Sequence, residues 1–274
     1  MHMVLDGQDW RAAIASHRQA PCESIIEKRL ESYRRRGYTY LRDGGDRWGA
    51  GRRARELSSR YGITYRTPLA PLCKEGCYGA FIGEPFQDLK EYAVLVKRQG
   101  QAGADFIKIM ISGLMDFARP GVLFMEGPRE DEIRQMVHIA RQEGFSVMAH
   151  CNGATAALAA AEAGVDSIEH GAYLNGEALA AMAENRVIWV PTLSTIGNLL
   201  GKGRYPDEAV EKILHSAMQN VAAYRALGGL VAPGSDAGAW AVPHDADTEQ
   251  AWLIKAGICE ADQEKATLEV IKRF

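Results

Sequence analysis

The chain has no run of about eighteen consecutive apolar residues, and Met1–Asp9 shows no basic-then-apolar pattern. The first absence argues against a membrane-spanning helix and the second against a secretory signal. Excess charge of either sign is missing too: 32 Lys and Arg stand against 35 Asp and Glu, for a net charge of −3. Neither nucleic acid nor an anionic membrane surface is therefore expected as a partner. The five cysteines (Cys22, Cys73, Cys77, Cys151, Cys259) are odd in number and follow no repeating frame, as in a reduced, cytoplasmic protein. Cys73 and Cys77 have no second pair in step with them, which argues against a zinc ribbon. No internal repeat and no break in composition divides the sequence, so residues 1–274 are expected to form a single domain.

What is present is enough apolar material for a large core: 274 residues, 47% of them hydrophobic. The stretch Phe145–Gly171 reads as strand, helix, strand. Phe145–Ala149 is short, apolar and bounded by glycine, as for a strand buried on both faces. Thr155–Ala163 is alanine-rich with helical spacing, and Gly164 suits a helix C-cap. Val165–Glu169 is the second strand. Further strands are expected at Tyr38–Arg42, Ile63–Leu69, Asp105–Ile111, Val187–Thr192 and Leu230–Pro233, each followed by a helical segment. The regions Ala70–Pro85 and Ser112–Pro128 read as long loops. Alternating strand and helix predict a parallel sheet closed into a (β/α) barrel of the TIM type, with a doubly wound open sheet as the alternative. The count of seven strands is one short of the ordinary barrel.

In such a barrel the strand C-termini share one rim, where barrel enzymes keep their chemistry. Five side chains fall there: Asp43, Lys108, His150, His170 and Asp236. Two histidines at matching ends of adjacent strands, with an aspartate after a third, point to a metal. Lys108 lies in an apolar strand, DFIKIMI, where an unpaired ammonium is costly. Its readings are a lysine reaching solvent, a Schiff-base amine or a carbamylated metal ligand. His138 and His215 fall on solvated helix faces, and His17 has no visible partner. Arg42 and Asp43 are expected to pair with each other beneath the rim. Trp240 is placed to cap a pocket, and Tyr173, His244 and Arg119 are candidates for binding substrate.

The combination of HCNGATAALAAAEAGVDSIEHG, GSDAG, DFIKIM and Thr39-Tyr-Leu-Arg-Asp-Gly-Gly45 resembles the metal-dependent amidohydrolase superfamily, in its imidazolonepropionase-like and prolidase-like (Xaa-Pro dipeptidase-like) branch. The resemblance covers Glu23 to Gly257. It implies that His150 and His170 ligate one divalent metal, zinc by preference, and that Lys108, carboxylated by carbon dioxide, bridges to a second. It also implies that Asp236 binds that second metal and acts as general base, in hydrolysis of an amide or other C–N bond of a dipeptide, N-acyl amino acid or cyclic amide. The family's first strand ends in His-x-His, whereas this sequence begins Met1-His2-Met3. His2 is therefore the candidate survivor of that pair, and the chain is expected to be truncated, without the first strand and without the family's small β domain. Two rivals stand beside this reading: a truncated or degenerate barrel that binds metal without turnover, and a Schiff-base lyase or aldolase using Lys108. A strand-deficient barrel would also favour homo-oligomers.

Overall fold

A computed structural model describes residues 1–119 and 121–274. The strands in chain order are β1 (Tyr40–Arg42), β2 (Thr64–Arg66), β3 (Leu72–Lys74), β4 (Glu84–Phe86), β5 (Ile107–Met110), β6 (Leu114–Met115), β7 (Leu123–Phe124), β8 (Val147–Cys151), β9 (Ser167–His170), β10 (Ile188–Val190) and β11 (Leu230–Val231). Seven of them form one parallel sheet in the order β11-β10-β9-β8-β5-β3-β4. β1 and β2 form a separate parallel pair, and β6 with β7 an antiparallel hairpin. All seven strands read from the sequence are present. β3 and β4 come from the Ala70–Pro85 segment, and the β6–β7 hairpin from Ser112–Pro128, both read as loops.

Alternation along the strands gives the sheet two different faces. Ile107, Ile109, Val147, Ala149, Ile168 and Trp189 join the larger core, against helices that include Glu130–Gln142 and Ala154–Ala163. Ala157, Ala159, Ala160 and Ala161 are fully buried there, because a helix edged with methyl groups packs close to its neighbours. Met148, Ile188, Val190 and Ala232 point the other way, into a smaller core with Phe106, Val270 and Phe274. Pairing in register puts Lys108 beside Met148 and His150 beside Glu169, so all four share that second face.

The pairing does not run all the way round. Thr67 accepts a backbone hydrogen bond from Asp105 at 3.0 Å, carrying the β1–β2 pair alongside β5. Between β1 and β11, among the described residues, there is no strand pairing. A cavity of about 500 Å³ occupies the interval, lined by Tyr40 and Arg42 on one side and Val190 and Ala232 on the other. The N-terminal turn crosses above it: His2 donates its N–H to Ala237 O at 2.7 Å, and Gly44 donates to Met1 O at 2.7 Å. Among the described residues no helix is long and apolar enough to cross a membrane.

Candidate metal centre

His150 is the fourth residue of β8 and His170 the last of β9. Their places in the pairing differ, since Cys151, not His150, stands opposite His170. Strict alternation would turn the two rings to opposite faces. The backbone corrects this: His170 has φ 73°, a left-handed conformation a β-branched or bulky residue seldom takes, and its ring comes to 4.6 Å (centroid to centroid) from that of His150. Tyr173, Thr192 and Asp236 also have positive φ, so four of the chain's unusual non-glycine conformations lie at or just past strand ends on this rim. Strain of this kind gathers where a site is held in a set geometry.

Each histidine has one nitrogen held and another left bare. His170 Nδ1 lies 2.7 Å from Thr192 Oγ1. His150 Nε2 lies 3.4 Å from the Gly113 carbonyl, and its ring is 4.8 Å from that of Tyr78. His2 Nδ1 donates to Gly45 O at 3.2 Å, which fixes the tautomer and leaves Nε2 without a proton, 3.7 Å from Asp236 Oδ1. The His2 ring lies so close against Gly44 that a Cβ there would stand 2.2 Å from His2 Cε1, so only glycine permits this approach.

Lys108, only 2% exposed, belongs to the same assembly. Among the described residues no carboxylate pairs with its amine, so burial pushes its pKa down from the usual lysine range, with Glu169 and then Asp236 pulling the other way. Burial also lowers the histidines, to about 3 for both His2 and His170 and well below the ordinary value for His150. The Lys108 ammonium presses all three further down. The imidazoles are thus neutral, the form that binds a metal. The donors suit a divalent ion in kind, as two pairs, His150 with His170 and His2 with Asp236, around a lysine that has no ion-pair partner among the described residues. Among the described residues no three His, Cys, Asp or Glu side chains cluster tightly enough to hold an ion by themselves.

Beneath the histidines Arg42 donates to Glu169 Oε1 at 2.8 Å and to Ser167 Oγ at 2.9 Å, and Ser167 donates to Glu169 Oε1 at 2.6 Å. The expected Arg42–Asp43 pair does not form. Asp43 is fully buried apart from it, accepting from Met3 N at 3.3 Å and Thr67 Oγ1 at 3.4 Å. Above the histidines lies a second cavity, of about 400 Å³, and the two cavities meet at His170 and Asp236. Trp240 lines the upper one, as the sequence suggested. The three substrate candidates, His244, Arg119 and Tyr173, line neither cavity. His244 is buried with both nitrogens engaged, Nδ1 at 2.9 Å from Tyr33 OH and Nε2 donating to Leu5 O at 2.8 Å. Arg119 pairs with Asp116 at 2.7 Å. The Tyr173 hydroxyl is buried and has no hydrogen-bond partner among the described residues. Sequence reasoning passed over Thr192, Glu169, Tyr78 and Phe81; of these only Thr192 and Glu169 stood where a signal existed, at strand ends.

No family model matches the chain. Among solved structures it is similar to a Xaa-Pro dipeptidase with bound methionine, at TM-score 0.77 and 22% identity, over 99% of this chain and 72% of that one. It is likewise similar to Aspergillus niger ochratoxinase, at TM-score 0.76 and 21% identity over 97% and 67% of the two chains. A prolidase complexed with N-methylphosphonate-L-proline matches at TM-score 0.66 and 25% identity, over 86% of this chain and 63% of the other. The fold is that of the amidohydrolases. Within them, these likenesses relate the chain to the prolidase-like enzymes. In sequence, an uncharacterized protein of Mycobacterium tuberculosis is 34% identical over 115 residues, 40% of this chain. Aspergillus niger ochratoxinase is 29% identical over 147 residues, 52% of this chain. The matched segments span less than a third of those curated relatives, 31% and 28% of their lengths.

Proposed function

We propose that this chain is the catalytic unit of a metal-dependent hydrolase acting on an amide or other C–N bond. The observation that carries the reading is the convergence of three neutral histidines and Asp236 around a buried lysine with no counter-ion, where two cavities meet. His150 and His170 would hold one divalent ion, zinc by preference. Asp236 and His2 would hold a second. When bound, such an ion supplies a Lewis acid that acidifies water and polarises a carbonyl.

The remaining work belongs to the chain. A depressed amine at Lys108 has its lone pair available to attack carbon dioxide, losing one proton and gaining a carboxylate on Nζ. Counted from the ammonium, two protons leave in all; a buried cation is replaced by an anionic donor with two oxygens, which removes the repulsion the ammonium exerts on the histidines. Asp236, its side chain 16% exposed at the junction of the cavities, can take a proton from the attacking water and deliver it to the departing nitrogen. Thr192 and Gly45 hold His170 and His2 in their orientation through Nδ1.

The test is hydrolysis of a panel of dipeptides and N-acyl amino acids by the chelator-treated protein, before and after zinc is restored. Zinc-dependent turnover is expected, reduced at least ~100-fold in Asp236→Asn. Full turnover in that variant would contradict the assignment of the base. Borohydride trapping of a carbonyl compound on Lys108, with turnover indifferent to chelator, would favour Schiff-base chemistry instead.

A further inference from the structure

The two cavities reach different parts of the centre. The upper one is bounded by His2, His150, His170 and Asp236, and Lys108 is not among its lining residues. The lower one has Lys108 in its wall, together with Glu169, His170 and Asp236. The amine is thus approached from beneath, through the interval between β1 and β11 that, among the described residues, no strand pairing closes. Tyr38, 40% exposed, and the exposed Asp247 and Gln250 also line this cavity, so it opens to solvent. Met148, Val190, Ala232 and Val270 give it an apolar inner wall. Its two arginines already have carboxylate partners, Arg36 with Asp247 at 2.6 Å and Arg42 with Glu169 at 2.8 Å, and Asp236 and Glu249 add two further carboxyls.

The geometry points to the lower cavity as a second entrance to the centre, through which carbon dioxide reaches Lys108 without crossing the upper cavity. This rests on the hydrolase reading, in which Lys108 is carboxylated. It adds the path by which the carbon arrives, and that a substrate held in the upper cavity does not bar it. The Nζ lone pair forms the N–C bond while one C–O π pair moves onto oxygen, and the proton that the nitrogen sheds leaves to solvent through the same opening. A neutral, apolar gas suits apolar walls. Bicarbonate does not: its path runs past Asp247 and Glu249 to Glu169 and Asp236, and like charges repel strongly where little water screens them.

To test this, chelator-treated protein kept free of carbon dioxide would be mixed with the isotopically labelled gas and zinc, and quenched at intervals. The carbamate would be fixed with triethyloxonium ion and located by peptide mass spectrometry. Label on Lys108 is expected. Its rate of appearance should fall several-fold in Ala232→Leu and in Thr267→Trp, the second a half-buried position on the cavity wall where folding is less at stake. It should keep the wild-type value in Leu114→Trp, which narrows the upper cavity instead. Methylation of Lys108 by formaldehyde and a borane reductant reads the entrance without any carboxylation, and should follow the same order of variants. Lower-cavity variants that react at the wild-type rate, or a Leu114→Trp variant slowed as much as they are, would overturn the inference. So would loading from bicarbonate as fast as from the dissolved gas. A folded wild type that takes no label, while its methylation follows the expected order, would count against the carboxylation and not against the entrance.

Discussion

Replacing Glu169 by alanine would strike the support beneath the centre. Arg42 and Glu169 are 8% and 6% exposed at the side chain, with 2.8 Å between Nη2 and Oε1. The alanine variant leaves the guanidinium buried with the Ser167 hydroxyl and the face of Phe274, 4.3 Å away, as its remaining partners. Neither neutralises its charge. Breaking a buried pair on one side costs about 3–5 kcal/mol, and for a chain of this size that lowers the melting temperature by roughly 10 °C. Removing both charges together, in Arg42→Met with Glu169→Ala, should cost much less than the sum of the single changes, since neither charge of this pair is left without the other. The assay is equilibrium urea unfolding of chelator-treated wild type, both single variants and the double, followed by far-UV circular dichroism. A coupling energy of about 2–3 kcal/mol is expected. Single effects that add to within about 0.5 kcal/mol would refute the argument that this pair acts as a unit.

Two further outcomes follow from the same geometry. Thr192→Val removes the oxygen 2.7 Å from His170 Nδ1 without changing its shape much, so zinc affinity should fall roughly 10- to 100-fold in a competitive chelator titration. Glu249 is buried and accepts from Leu193 N at 2.9 Å and Ser194 N at 2.7 Å, and burial raises its carboxyl to about 7. A carboxyl whose folded pKa lies above its unfolded one lends stability that is complete below about 4.5 and lost as pH rises through about 7. Relative to Glu249→Gln, the wild type should therefore lose about 3 kcal/mol of unfolding free energy between pH 4.5 and pH 8, measured by urea titration at each pH.

Much of the site was legible because barrel-type sheets put chemistry at strand ends, and the strands announce themselves. FSVMAHC and VDSIEHG are short apolar runs between glycines, so His150 and His170 could be placed on one rim without a partner structure. Lys108 stood out because an apolar strand has no other use for an amine. Less visible were features that depend on what lies far away in sequence. Arg42 and Glu169 are separated by 127 positions, and nothing local says that arginine would choose Glu169 over its neighbour Asp43. His244 looked like a rim residue, but its two nitrogens are taken by Tyr33 and Leu5, both from the other end of the chain. β3 and β4, three residues each, the first preceded by Pro71 and the second containing Pro85, are too short to show alternation. The aromatic wall of the upper cavity is likewise assembled from separate parts of the chain: Trp10, Phe81, Phe117, Tyr205 and Trp240 share no spacing.

The most direct test of the account is the metal content of the purified protein. Wild type and the His150→Ala/His170→Ala double variant, equilibrated with the same zinc solution and freed of excess, would be compared by elemental analysis, with circular dichroism to confirm that both are folded. At least one tightly held zinc is expected per wild-type chain, and its loss from the double variant. A folded wild type that retains no zinc, or a double variant that retains as much as the wild type, would contradict it.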